Sequence, residues 1–231
     1  PLASTLIWAA NDHSVAPRRL DGGGEADDAD SENYEIGELL GEGGSAMVFA
    51  AVDRRDGRPV AIKVARADER GAWREALRNE AALLARIRSP GVPALLDLGT
   101  TAAGRLFLAM PRVEGATLNA LIETVRPAHP RVAAALIRRR FLSIFLNLCE
   151  TVDAAHRQGF SHRDLKPRNV MVSGYDDVHV IDWGLGGPTG AGYCAGTRRS
   201  DAGNSGGTPG YIAPEAVRAG PERTDHRVDV W

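Results

Sequence analysis

At 231 residues the chain is long enough for one large domain or two small ones. Hydrophobic residues make up 43% and charged residues 25%, ordinary values for a soluble protein with a true core. A formal net charge of −2 gives no global electrostatic case for nucleic acid or an anionic membrane. Local basic runs such as Arg138-Arg139-Arg140 read as solvated faces. The two cysteines, Cys149 and Cys194, fit neither a disulfide framework nor a metal-ligand spacing and point to a reducing compartment. Cys149 lies in an apolar helical stretch and is expected in the core. No stretch approaches the roughly 20 apolar residues that span a bilayer. Residues 2–10 are apolar but lack the basic flank of a signal peptide. The chain is expected to be cytoplasmic, on its own or as the cytosolic part of a longer, membrane-anchored protein.

Residues 1–33 include the acidic, Gly-rich run from Asp21 to Asp30 and are expected to form a flexible tail, having little apolar surface to offset ordering. Folded sequence begins near Tyr34. Short β-type runs follow at 36–40, 46–52 and 59–64, the last two separated by an Asp53-Arg54-Arg55-Asp56-Gly57 turn. Leu77, Ala81, Leu84 and Ile87 recur at three- and four-residue steps, predicting a helix over 73–88 that stops at Ser89-Pro90-Gly91. Strands are predicted at 94–98 and 106–110. After Glu114-Gly115 the character changes. A long helix is predicted over 131–158, with Ile137, Phe141, Ile144, Leu148, Val152 and Ala155 on one face. Strands at 170–172 and 178–181 precede a Gly-, Ser- and Thr-rich stretch over 184–210. A strand-rich half followed by a helix-rich half implies two lobes with a cleft between them, and no internal repeat is visible.

The run His162-Arg163-Asp164-Leu165-Lys166-Pro167-Arg168-Asn169 carries the most chemistry. Phosphoryl transfer needs a carboxylate to orient the attacking hydroxyl, a cation near the transferring group and an amide oxygen for Mg²⁺. Asp164, Lys166 and Asn169 supply that set within six positions. Further motifs stand in a fixed order around it. A Gly-rich loop, Leu40-Gly41-Glu42-Gly43-Gly44-Ser45-Ala46-Met47-Val48, lets backbone N–H groups approach phosphate oxygens. It lacks the G-K-[ST] ending of a P-loop. Ala61-Ile62-Lys63-Val64 follows, then an acidic helix, then Ile181-Asp182-Trp183-Gly184, Gly207-Thr208-Pro209-Gly210 and Ala213-Pro214-Glu215.

In these residues the sequence resembles the protein kinases, and the resemblance covers 34–231. It implies an α+β, two-lobed protein-kinase-like fold. Residues 34–113 would form an antiparallel-sheet N-lobe with one main helix and the hinge. Residues 114–231 would form a mainly helical, incomplete C-lobe, cut within its central helix at Asp229-Val230-Trp231. That aspartate would brace the catalytic loop, apolar helix faces would lie uncovered, and Glu215 would lack its arginine partner.

The resemblance also distributes roles. Leu40, Gly41, Gly43, Gly44, Val48 and Ala61 would surround ATP, with Ala46 standing where the family has a third glycine. Lys63 would hold the α- and β-phosphates and pair with a helix glutamate. Glu75 and Glu80 both fit by spacing, and Glu80 better matches the family distance to Ser89-Pro90. Met110 would be the gatekeeper, with Pro111 offering adenine its carbonyl and Val113 both backbone groups. Asp164, Lys166, Lys63 and Glu80 would be catalytic, and Asn169 and Asp182 would ligate Mg²⁺, or Mn²⁺ in its place. His162 is expected to be a packed residue rather than a base. Trp183 replaces the family's phenylalanine after Asp182.

Lys166-Pro167 and the Thr208-Pro209 docking loop follow the Ser/Thr form. Arg163 would grip a phosphate in the activation segment, with Ser200 or Ser205 the expected autophosphorylation sites, made by a dimer. The implied function is transfer of the γ-phosphate of Mg-ATP to protein Ser/Thr hydroxyls, similar to the eukaryotic-like kinases of bacteria. A pseudokinase-like nucleotide-binding scaffold is the alternative, disfavoured by the retained Lys63, Asp164, Asn169 and Asp182. A small-molecule phosphotransferase is disfavoured by the Ala213-Pro214-Glu215 docking segment.

Overall fold

A computed structural model describes residues 33–67, 71–125, 131–189, 207–219 and 225–230. Strands β1 (Tyr34–Glu42), β2 (Ala46–Asp53), β3 (Pro59–Ala65), β4 (Asp97–Thr100) and β5 (Leu106–Pro111) form one antiparallel sheet in the order β1-β2-β3-β5-β4. Helix α1 (Ala72–Leu84) connects β3 to the later strands. The second half holds β6 (Ala116–Thr117), α2 (Leu118–Val125), α3 (Arg131–Arg157), β7 (Phe160–Ser161), β8 (Val170–Val172), β9 (Val178–Val180), β10 (Gly187–Pro188) and α4 (Pro214–Ala219). Short 3₁₀ turns lie at Pro167–Asn169 and His226–Asp229. The α+β content, with its antiparallel first lobe, matches the expected fold class.

Strands β2, β3 and β5 are the interior of the sheet, and their sequences are apolar on both faces because both are buried. Opposed residues share a face and successive ones alternate. Tyr34, Met47, Phe49, Ala51, Val60, Ile62, Val64, Phe107 and Ala109 make up an outer-face cluster. Ala65, Leu106 and Leu108 instead meet Leu77, Ala81 and Leu84 of α1. This second cluster continues into Val152 and Ala155 of α3, Val180 of β9 and Trp183, so one apolar core joins the halves. At the start of β1 the buried Tyr34 hydroxyl donates to Asp97 Oδ2 at 3.1 Å and accepts from Arg55 Nη2 at 2.9 Å.

Four details differ from the sequence reading. Strand β4 lies at Asp97–Thr100 rather than 94–98, because its pairing with Leu106–Ala109 sets the register. Helix α1 stops at Leu84, although Ile87 beyond it is still buried. Helix α2 went unpredicted; Thr117 Oγ1 accepts the Ala120 N–H at 3.2 Å at its start, and Leu118 and Leu121 pack toward Ile144, Val170 and Val172. Cys149 is exposed rather than buried: it falls on the outward face of α3 with Leu142, Phe145 and Leu146, each more than half exposed. The inward face carries Ile144, Leu148, Val152 and Ala155 as the periodicity requires.

Between β5 and β6 the chain turns at Gly115, where φ is 139° and any Cβ would collide with the Val172 carbonyl. Only glycine fits that close crossing. It carries the chain from the first sheet to the small sheet β6-β8-β9, whose strand β8 directly follows the loop of residues 162–169.

Candidate active site

Strand β3 sets Lys63 opposite Val48 and Leu108, on the sheet face that also receives α1. Helix α1 buries Glu80 beside Leu77, Ala81 and Leu84. The consequence is a buried ion pair, with Lys63 Nζ donating to Glu80 Oε2 at 2.6 Å and Oε1 at 2.9 Å. Glu75, the spacing alternative, is exposed. A third contact crosses the cleft: Nζ donates to Asp182 Oδ1 at 2.7 Å. Burial works against the Lys63 charge, but the two carboxylates outweigh it and raise its pKa. Burial pushes Glu80 up, against the pull of Lys63. Asp182 is desolvated as well, yet Lys63 holds its carboxyl below the usual range. Its side chain is nonetheless 48% exposed.

Asp182 sits at φ 64°, in the left-handed region that non-glycine residues rarely occupy. Its neighbour holds it there. Trp183 is 1% exposed, its Nε1–H donates to the Val180 carbonyl at 3.0 Å, and its ring lies 4.8 Å from that of His162. His162 is fully buried. Its Nδ1 accepts the Asp164 N–H at 3.2 Å and its Nε2 faces the Ile181 carbonyl at 3.0 Å, so both ring nitrogens are engaged.

The loop of residues 162–169 converges on Asp164. Its Oδ1 accepts the Thr208 N–H at 3.0 Å and the Thr208 hydroxyl at 2.9 Å, and its Oδ2 accepts Lys166 Nζ at 2.6 Å. Lys166 Nζ also donates to Thr208 Oγ1 at 2.6 Å. Asn169 Nδ2 donates to the Asp164 carbonyl at 2.9 Å, which leaves its Oδ1 as the acceptor of that amide. The Ile181 N–H donates to the Asn169 carbonyl at 2.9 Å, so Asn169 and the segment leading to Asp182 are tied together at the ends of β8 and β9.

Above this lies the Gly-rich hairpin, closed by Gly43 N–H donating to the Ala46 carbonyl at 2.9 Å. None of Gly41, Gly43 and Gly44 has a positive φ, and a Cβ at Gly41 or Gly44 would meet nothing within 4 Å. The fold's own contacts therefore do not demand glycine there, which suits a loop that must approach something outside the chain. Val48, Ala61 and Met110 share the Lys63 face, and Leu40 is 43% exposed at its edge. Pro111 ends β5, and Arg112 and Val113 follow half-buried. An apolar slot, a glycine cradle and hard oxygen donors on Asn169 and Asp182 fit a nucleoside polyphosphate with Mg²⁺, which takes few protein ligands beside phosphate. Among the described residues no group of three or more His, Cys, Asp and Glu forms a self-sufficient metal cage.

The protein kinase domain family matches residues 34–231 of the sequence. The chain belongs to the protein kinase family. It is 33% identical over 213 residues to the serine/threonine-protein kinase PknB of Mycobacterium tuberculosis, covering 87% of this chain and 31% of that protein. PknB of Mycolicibacterium smegmatis is 34% identical with the same coverage. A probable serine/threonine-protein kinase of Streptomyces coelicolor is 31% identical over 220 residues, covering 93% of this chain and 29% of its own length. The chain thus spans about a third of the length of these relatives. No helix among the described residues is long and apolar enough to cross a membrane.

One contact of this kinase domain follows the resemblance and one went unannounced. Asp229 accepts the backbone N–H groups of His162 at 2.8 Å and Arg163 at 2.6 Å, which the resemblance had led one to expect. His156 Nε2 lies 2.8 Å from the same Oδ2, a contact no motif announced. These hydrogen bonds overcome burial and hold the Asp229 carboxyl below its usual range. Arg163 is itself left-handed at φ 67° and donates Nη2 to the Pro188 carbonyl at 2.8 Å. Ser200 and Ser205 lie outside the described residues.

Proposed function

We propose that this kinase domain transfers the γ-phosphate of Mg-ATP to serine or threonine hydroxyls of protein substrates. The observation that carries this is the meeting, across one cleft, of the Lys63–Glu80–Asp182 cluster with the Asp164–Lys166–Thr208–Asn169 cluster. Phosphoryl transfer asks a protein mainly for positioning and charge stabilisation, and each residue has a role of that kind.

In this reading Val48, Ala61 and Met110 take the adenine ring, and the Pro111 carbonyl and Val113 backbone hydrogen-bond its edge. Lys63, oriented by Glu80, holds the α- and β-phosphates. Asp182 and Asn169 would ligate Mg²⁺, which would supply neutralisation of phosphate charge when bound. Asp164 orients the substrate hydroxyl and receives its proton as the oxygen forms its bond to the γ-phosphorus and the bond to the β-phosphate oxygen breaks. Lys166 offsets charge on the transferring group. Thr208, bonded to both Asp164 and Lys166, ties the docking segment to the reacting carboxylate.

The test is transfer of labelled γ-phosphate from Mg-ATP to a generic basic protein, comparing the chain with Asp164→Asn. Label should appear with the wild type and fall by about 10²–10⁴-fold in the variant. Nucleotide binding without transfer by the wild type would instead assign a scaffold role. Equal label from both would remove Asp164 from the chemistry.

A further inference from the structure

Glu42 stands between Gly41 and Gly43, in the loop assigned above to phosphate. A carboxylate there would repel a polyphosphate if it turned toward the cleft. The structure shows what turns it away. Glu42 pairs across the hairpin with Met47, and Met47 pairs with Val64, so Glu42 lies on the outer face of the sheet. Val48 and Lys63 occupy the opposite face.

On that outer side Arg66, just beyond β3, reaches across β2 and donates Nη2 to Glu42 Oε1. Its backbone N–H also donates to the Ser45 carbonyl at 2.9 Å, one step past the Ala46–Ala65 pair. One residue therefore grips the tip of the loop through its backbone and the acidic arm through its side chain. The arginine is 27% exposed and the glutamate 59%. As a surface ion pair it contributes little to global stability. Its position at the phosphate loop is what gives it consequence.

We propose that Arg66 is a positioning residue for nucleotide binding: it neutralises Glu42 and holds its carboxylate on the outer face, away from the phosphates. This rests on reading the Gly-rich loop as the phosphate cradle. Removing the cation frees a negative charge close to the polyphosphate, and suppressing that charge restores binding. The penalty should scale with phosphate charge and be absent for adenosine. It should also shrink as salt screens it.

The experiment is equilibrium binding of a fluorescent ATP analogue with Mg²⁺, which needs no turnover, checked by melting curves for each variant. Arg66→Ala should weaken binding by about three- to tenfold at low salt, with adenosine competition unchanged. Arg66→Ala combined with Glu42→Gln should return to within about twofold of the wild type, since the offending charge is gone. A double variant as weak as Arg66→Ala would overturn the proposal, because the loss would then come from the missing contact rather than from the carboxylate. Equal weakening of adenosine would overturn it too. A wild type that binds no nucleotide would refute the cradle itself, and the inference with it.

Discussion

The Asp229 carboxylate accepts the backbone N–H of His162 at 2.8 Å, so a residue 67 positions on fixes the first residue of the loop proposed to be catalytic. The loop needs that support. Arg163 beside it sits at φ 67°, an unfavourable conformation that persists only where surrounding bonds over-determine it.

Asp229→Asn should cost about 1–3 kcal/mol, because an amide nitrogen faces a backbone donor it cannot accept. The pH dependence follows from the lowered pKa of Asp229, whose ordinary value is 3.8. Below that value the unfolded chain binds a proton that the folded one still refuses. The stability contributed by Asp229 is thus fully present above pH 3.8 and is lost as pH falls through the folded pKa. Denaturant melts from pH 5 to pH 2 should show a shallower acid limb in the variant than in the wild type. Parallel limbs would mean the carboxylate is not held as described.

Lys63→Met should reduce phosphate transfer by about 10²–10³-fold, measured at saturating Mg-ATP. It also strands Glu80 in the core without its cation. Burial already raises the Glu80 pKa above the ordinary 4.5, and losing Lys63 raises it further. A raised carboxyl is destabilising to keep ionised, so the variant should lose stability relative to the wild type once pH rises above the already raised wild-type pKa of Glu80. The melting-temperature gap should therefore be wider at pH 8 than at pH 5. A gap that narrows would place Glu80 in contact with water.

Trp183→Phe keeps an aromatic ring but removes the indole N–H from the Val180 carbonyl and leaves space beside His162. The expected cost is about 1–2 kcal/mol of stability. Because Asp182 is strained and Trp183 anchors it, the variant should also exchange the amide protons of this segment faster. Unchanged exchange with unchanged stability would show that the bond to Val180 does not restrain the motif.

Much of this architecture was legible because its signals are local. Gly-rich turns, alternating strands and the three-to-four periodicity of α3 depend on near neighbours. Glu80 was separable from Glu75 only through the resemblance; spacing from Lys63 left both open, and what distinguishes them is which face of α1 is buried. Strand β4 was displaced because register is set by its partner β5, not by its own composition. Cys149 was misplaced for a similar reason: α3 is apolar on two sides, and hydrophobicity alone does not say which side faces the core. The Arg66–Glu42 and His156–Asp229 contacts join residues 24 and 73 positions apart, distances over which sequence carries no pairing rule.

The ammonium group of Lys63 has three protons, and three carboxylate oxygens receive them: two from Glu80 and one from Asp182. A phosphate arriving at Lys63, as proposed above, would have to take over a position already filled. Glu80 is buried and doubly bonded, so Asp182, 48% exposed, would be the partner displaced. If Lys63 holds phosphate as proposed, nucleotide capture would be an exchange of anions at one cation, and the carboxylate set free would need a new counter-ion. On the proposed function, a magnesium ion bound with the nucleotide would meet that need. Nucleotide and metal should therefore bind with positive cooperativity, each weakening the resting bond that opposes the other.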